Sequence, residues 1–197
     1  MRCINSRQII FATLVSEALL LGLGLCVSPF VTTTGKWNIT IHAITLGIVL
    51  TLPPLLTNVL LWRYSHSHTS SVFNRFSTEV IVPLCQAMTI TTAFIVAVLS
   101  GICEEFFFRG ALNNLIQTHT NQVLACITTS IIFAVIHFIG NIKRYGAMIP
   151  LYVAMGGYLW LVHYLTESLA CVAVTHGVYN FTVIMLTKRH YKKRAPL

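Results

Sequence analysis

Cys103-Glu104-Glu105-Phe106-Phe107-Phe108-Arg109-Gly110 is the stretch on which the reading of this chain turns. The sequence holds five acidic residues, all Glu, and two of them stand side by side here between apolar flanks. An isolated carboxylate in a low-dielectric setting is costly, so such groups persist when they are paired, neutralised or used. Read as a helix, the stretch places Glu105 and Arg109 four residues apart on one face, where they can pair. Glu104 sits ~100° around the helix, at ~3.6 residues per turn, with no cation partner on its own helix. One carboxylate is braced and its neighbour is left free, an asymmetry that acid–base chemistry needs. The plainer alternative is a buried ion pair with a spare Glu reaching toward an interface.

Outward from this stretch, composition sets the class. The chain has 197 residues, 55% apolar and 9% charged, with a mean hydropathy of +0.75. Soluble domains carry about 25% charged residues, so this is an all-α polytopic membrane bundle with no length left for a separate soluble domain. The net charge of +8 is confined to short loops and the C-terminal tail. There it reads as a topology signal and as contacts to anionic lipid head groups, not as a nucleic-acid surface. Six cysteines, at 3, 26, 85, 103, 126 and 171, form no C-x-x-C pair and read as small hydrophobes. Cys103 is the one candidate nucleophile among them, though apolar surroundings disfavour a thiolate.

About six spans are expected. Ile9–Val31 is the first; it is too long for a signal-peptide core and no A-x-A site follows it. Glu17 lies inside it, a lone carboxylate facing the bundle or a cavity. Ile41–Trp62 is the second, kinked by Pro53-Pro54, with Trp62 suited to the interfacial belt. A polar loop follows, in which His66-Ser67-His68 reads as solvated. Glu79–Thr118 would run ~60 Å as one helix, twice the hydrocarbon core, so it is either tilted and protruding or broken near Gly101. Asn121–Gly140, Gly146–Leu165 and Ser168–Leu186 complete the set. The chain divides into residues 1–78, two helices and a loop, residues 79–187, the chemical core, and residues 188–197, a basic tail. Counting Lys and Arg over six crossings places eleven on one side and Lys36 alone on the other, with Arg109 in the motif helix. That bias expects both termini and the 63–78 loop in the cytoplasm.

Two later spans carry polar groups at helical spacing. Phe133 and His137 are four apart, as are His176 and Asn180. At ~1.5 Å per residue, Glu104, His137, His176 and Asn180 lie ~21, ~24, ~14 and ~20 Å below the outer ends of their helices. The four groups can therefore meet in one pocket at mid-membrane or slightly toward the cytoplasm. A lone membrane His is usually a partner for another helix. Three helices bringing Glu, His and His/Asn to matching depths favour a site.

Glu-Glu-x-x-x-Arg, then Phe-x-x-x-His, then His-x-x-x-Asn, each on its own membrane helix, resembles the CPBP family of intramembrane endopeptidases, also called Abi or type II CAAX prenyl endopeptidases. The resemblance covers roughly residues 80–187 and includes Phe108-Arg109-Gly110 and the small pair Gly156-Gly157. It implies that Glu104 activates a water, that His137 helps hold it, and that His176 and Asn180 bind the oxyanion. Glu105 and Arg109 would brace the motif helix. It implies a peptide or protein substrate in or at the bilayer: a prenylated CAAX terminus in a eukaryote, or a small peptide or membrane protein in a bacterium. The membrane is then the endoplasmic reticulum or the cytoplasmic membrane, respectively. No cofactor is expected; the alternative is zinc on Glu104, His137 and His176. H-E-x-x-H is absent, and Asn180 suits an oxyanion better than zinc. A non-catalytic scaffold or immunity protein and a proton-coupled transporter are the competing classes. No inverted repeat supports the transporter. Oligomeric state is left open.

Overall fold

The structure, a computed structural model, describes residues 5–31, 35–67 and 72–192. Arg2, His68, Lys193, Arg194 and the first residues of the turn expected at Thr32 lie outside the described residues. Helix dominates, and no strand occurs among the described residues. In chain order the helices are α1 Ser6–Val27, α2 Ile41–Val49, α3 Leu52–Ser67, α4 Val72–Phe76, α5 Val82–Ala87, α6 Ile90–Leu99, α7 Asn113–His119, α8 Gln122–Phe138, α9 Ile142–Tyr145, α10 Ile149–Thr166 and α11 Leu169–Lys192. Two π-helical segments, Ser100–Glu104 and Phe106–Leu112, link α6 to α7.

Among the described residues, five helices are long and apolar enough to cross a membrane: Ser6–Phe30, Ile41–Tyr64, Ile90–His119, Ile142–Thr166 and Leu169–Tyr191. The molecule is a helical bundle of an integral, multi-pass membrane protein. The sixth expected span is shorter than the rest. α8 has 17 residues, so it runs ~26 Å against a core of ~30 Å, and it packs along α10 with Val123, Leu124, Ile127 and Ile131 exposed on its other side.

The long segment breaks, but not at Gly101. α5 ends at Ala87, Met88 is extended, and Thr89 caps the next helix by accepting from the Thr92 amide at 3.1 Å. Thr is a strong N-cap residue because its hydroxyl satisfies an orphan amide. The carbonyls left at the break are taken by long-range donors. Ser6 Oγ donates to Ala87 O, and Lys188 Nζ donates to Gln86 O and Met88 O. Pro53-Pro54 interrupts the second span as expected: neither can donate to the turn before it, so α2 ends at Val49 and the two prolines fall in the first turn of α3, where missing amides cost nothing. Thr51 Oγ1 donates there to Gly47 O at 3.0 Å.

The basic stretches gather at one end. Arg144 pairs with Glu79 at 2.8 Å, Arg75 donates to Arg144 O at 3.1 Å, and Lys188 reaches the α5–α6 break. At the opposite end Lys36 O accepts from Leu169 N at 2.9 Å.

Candidate active site

The motif helix approaches α11 more closely than side chains normally allow. A Cβ on Gly101 would lie 2.5 Å from Ala173 O and 3.1 Å from Gly177 N. One on Gly177 would lie 2.9 Å from Ala97 O. Gly101, expected as a breaking point, is instead where two backbones touch, and the helix passes through it in wide turns. Such turns shift the register of everything beyond them and recur at functional sites. Together they set Glu105 beside His176 and Glu104 near His137.

Glu105 is fully buried and braced as its spacing to Arg109 expected: Arg109 Nη1 donates to Oε1 at 3.1 Å. Arg109 Nη2 donates to Gly156 O at 2.8 Å, and its guanidinium lies 5.1 Å from the Phe133 ring centroid and 5.8 Å from that of Phe108. A planar fork with two acceptors and two ring faces is what a buried guanidinium requires. Gly156 admits this contact by packing on α8, where a Cβ would lie 3.0 Å from Ser130 Cα; Gly157 faces open space.

His176 was expected to sit with Glu104, but its Nδ1 lies 2.7 Å from Glu105 Oε1. Glu105 thus holds Arg109 and His176 with the same oxygen. A carboxylate accepts, so Nδ1 of His176 carries a proton and Nε2 donates to an anion in the imidazolium form. His137 Nδ1 lies 2.7 Å from Phe133 O. A carbonyl can only accept, so Nδ1 is protonated and Nε2 of the neutral ring is an acceptor. That Nε2 lies 3.8 Å from Glu104 Oε2, and this oxygen has no hydrogen-bond partner. The separation is too long for a direct hydrogen bond.

Asn180 is tied to α6 through Ser100. Asn180 Nδ2 donates to Ser100 Oγ at 2.9 Å, and Ser100 Oγ donates to Ala97 O at 3.3 Å. Among the described residues, Ser100 Oγ is the one acceptor of the Asn180 amide, so its second amide proton is available to a ligand. Phe133 ties the groups together, with its ring centroid 4.6 Å from that of His137 and 6.1 Å from that of His176. Tyr152 stands 5.1 Å from His137 on the other side. Ser100 and Tyr152 were not singled out in the sequence: a Ser amid apolar residues and a Tyr in an apolar span carry no local signal.

Among the described residues, no group of three His, Cys or Glu side chains is arranged to hold a metal ion. His137 Nδ1 and His176 Nδ1 each rest on an oxygen, which leaves their Nε2 atoms to a water, a substrate or a metal.

Residues 86–182 match the family model described as Type II CAAX prenyl endopeptidase Rce1-like. No curated protein and no solved structure matches the chain.

Proposed function

We propose, from the match of residues 86–182 to the type II CAAX prenyl endopeptidase Rce1-like family model, that this chain hydrolyses a peptide bond near the C-terminus of a membrane-held substrate with a Glu-activated water. The family is one of CAAX-type membrane proteases, and the chain is a multi-pass membrane protein. The observation that supports the finer reading is the 3.8 Å separation of Glu104 Oε2, which has no hydrogen-bond partner, from His137 Nε2.

A water in that gap donates one proton toward each acceptor. Its oxygen lone pair is then free to add to the scissile carbonyl carbon, and the proton passes to Glu104. Negative charge collects on the carbonyl oxygen. His176 Nε2–H and the free Asn180 amide proton are the donors for it, in a low-dielectric site where such donors are strong. Glu105 and Arg109 make no contact with the reacting atoms and hold His176 in place. When the C–N bond breaks, Glu104 returns the proton to the amine nitrogen.

The test is cleavage of a farnesylated peptide ending in a CAAX sequence by the purified protein in nanodiscs, read by mass spectrometry of the released tripeptide. Cleavage of the first bond after the prenylated Cys is expected, with Glu104→Gln inactive. Equal cleavage by Glu104→Gln would remove the proposed base.

A further inference from the structure

The end of the bundle opposite the basic one holds a cavity of about 330 Å³ that shares no residue with the hydrolytic groups. It lies where the spans Ile90–His119 and Ile142–Thr166 end. Lys36, Asn113, Gln117, Gln122, His163 and Glu167 line it. Among the described residues these side chains make no hydrogen bond within the chain, and the ion pairs lie elsewhere. Asn113 is 4% exposed, and its buried Oδ1 has no partner. An orphaned acceptor at that depth calls for a donor.

Glu167 is placed against the stability of its own helix. It caps the C-terminus of α10 in the left-handed region, at φ 49° and ψ 26°, where Gly or Asn is favoured. Its carboxylate also meets the negative end of the helix dipole. Lys36 sits on the abutting turn: its carbonyl accepts from Leu169 N at 2.9 Å, and a Cβ on Gly35, at φ +82°, would lie 2.9 Å from the Leu169 side chain. A cation and an anion thus stand on touching segments without pairing, which suits a ligand that carries both signs. Asn113 Oδ1 and Glu167 accept, so the positive end of that ligand has N–H donors; Lys36 and the two glutamine amides donate to its negative end. Trp160 and Tyr164 stack on the cavity wall at 5.2 Å, as amphipathic rings do at head-group depth. At the same end Val123 and Leu124 of α8 and Leu161 and Leu165 of α10 are exposed, an apolar surface for acyl chains.

We propose that this cavity binds the head group of an ethanolamine phospholipid in the leaflet at that end. The ammonium donates to Asn113 Oδ1 and Glu167, and the phosphodiester accepts from Lys36, Gln117 and Gln122. A choline head group has no N–H and leaves Asn113 Oδ1 unpaired. A glycerol head group leaves Glu167 without a cation.

The experiment places the full chain in nanodiscs of phosphatidylcholine, alone or doped with phosphatidylethanolamine or phosphatidylglycerol. A further phosphatidylcholine sample receives soluble glycerophosphoethanolamine. Melting temperature and native mass spectrometry of retained lipid are read. One retained ethanolamine lipid and a melting temperature raised only by that lipid are expected. Lys36→Gln, at an exposed position, should lower retention about tenfold, the scale of one charge-assisted contact. Glu167→Asn should lower it likewise, while its melting temperature in phosphatidylcholine holds or rises, because Asn tolerates the left-handed conformation and carries no charge. Equal retention of the three lipids overturns the proposal, as does wild-type retention in both variants. A Glu167→Asn protein destabilised in phosphatidylcholine also overturns it by marking a structural carboxylate. A full rise in melting temperature with glycerophosphoethanolamine alone overturns the lipid assignment in favour of a free zwitterion.

Discussion

His176 Nδ1 lies 2.7 Å from Glu105 Oε1, the oxygen that also takes Arg109. The carboxylate next to the proposed base therefore spans two helices, fixing a histidine of α11 to the motif helix. Its loss removes an intra-helix pair and an inter-helix tie at once.

Glu105→Gln should consequently lower the melting temperature more than a single ion pair would. Breaking a buried pair costs about 3–5 kcal/mol because the partner charge is left behind. Arg109→Gln should resemble it, and the double change should cost less than the sum of the two. Thermal unfolding in detergent reads all three, and a normally stable Glu105→Gln would refute the brace.

Glu104→Gln should behave in the opposite way. The side chain keeps its size, has no ion-pair contact shorter than 3.8 Å and leaves no cation stranded. Yield and melting temperature should match wild type, while hydrolysis falls by at least ~10², the scale of general-base catalysis. An unstable Glu104→Gln beside a stable, dead Glu105→Gln would exchange the two roles.

Exhaustive chelation should leave cleavage intact, and metal analysis should find no stoichiometric zinc. Activity abolished by a chelator and restored by zinc would replace the water-activation scheme with a metal-dependent one.

The end of the bundle that gathers Arg75, Lys143, Arg144 and Lys188 should face the cytoplasm, since Lys and Arg retained on the cytoplasmic side set orientation. Reporter fusions after Leu197 and within residues 65–71 should both report a cytoplasmic location. An external signal from either one reverses the bundle.

At the same end, hydrogen bonds from Arg144 and Tyr145 hold the Glu79 carboxyl below its ordinary value of 4.5. A depressed folded value means that the contribution to stability is present above the unfolded value and is lost as pH falls through the folded one. The melting temperature of wild type should drop toward that of Glu79→Gln as pH is lowered below about 4, near the unperturbed Glu value. High salt should narrow the difference at neutral pH, because the pair is solvent-accessible. Equal melting curves at pH 7 and low salt would show that the latch contributes nothing.

What could be read from the chain and what could not divide along a physical line. Glu105–Arg109 was legible because spacing within one helix decides it. The membrane class followed from composition, and the convergence of Glu104, His137 and His176 from depth counted along each helix. The Glu105–His176 contact was not legible, since it depends on how two helices are rotated against each other. Depth alone does not distinguish Glu104 from its neighbour. Gly101 misled because a glycine in a long apolar run signals a break or a close approach with equal force, and the approach won. The real break, at Met88-Thr89, was hidden by a Thr cap that in sequence looks like one more residue of an apolar run. Ser100 and Tyr152 became visible only through their neighbours, Asn180 and His137.

The wide turns at Ser100–Glu104 and Phe106–Leu112 have a consequence for how this segment can change over time. Each holds more residues per turn than an α-helix does. Deleting one residue between 100 and 112 would collapse a wide turn to an α-helical one and would take the side chains within it out of their present register. Arg109 would then swing away from Gly156 and the Phe133 face, or the Glu pair away from His137 and His176. The segment is therefore constrained in length as well as in identity. A deletion scan across 95–117, scored by cleavage of the reporter, should show a sharp trough over 100–112 with tolerance on both sides.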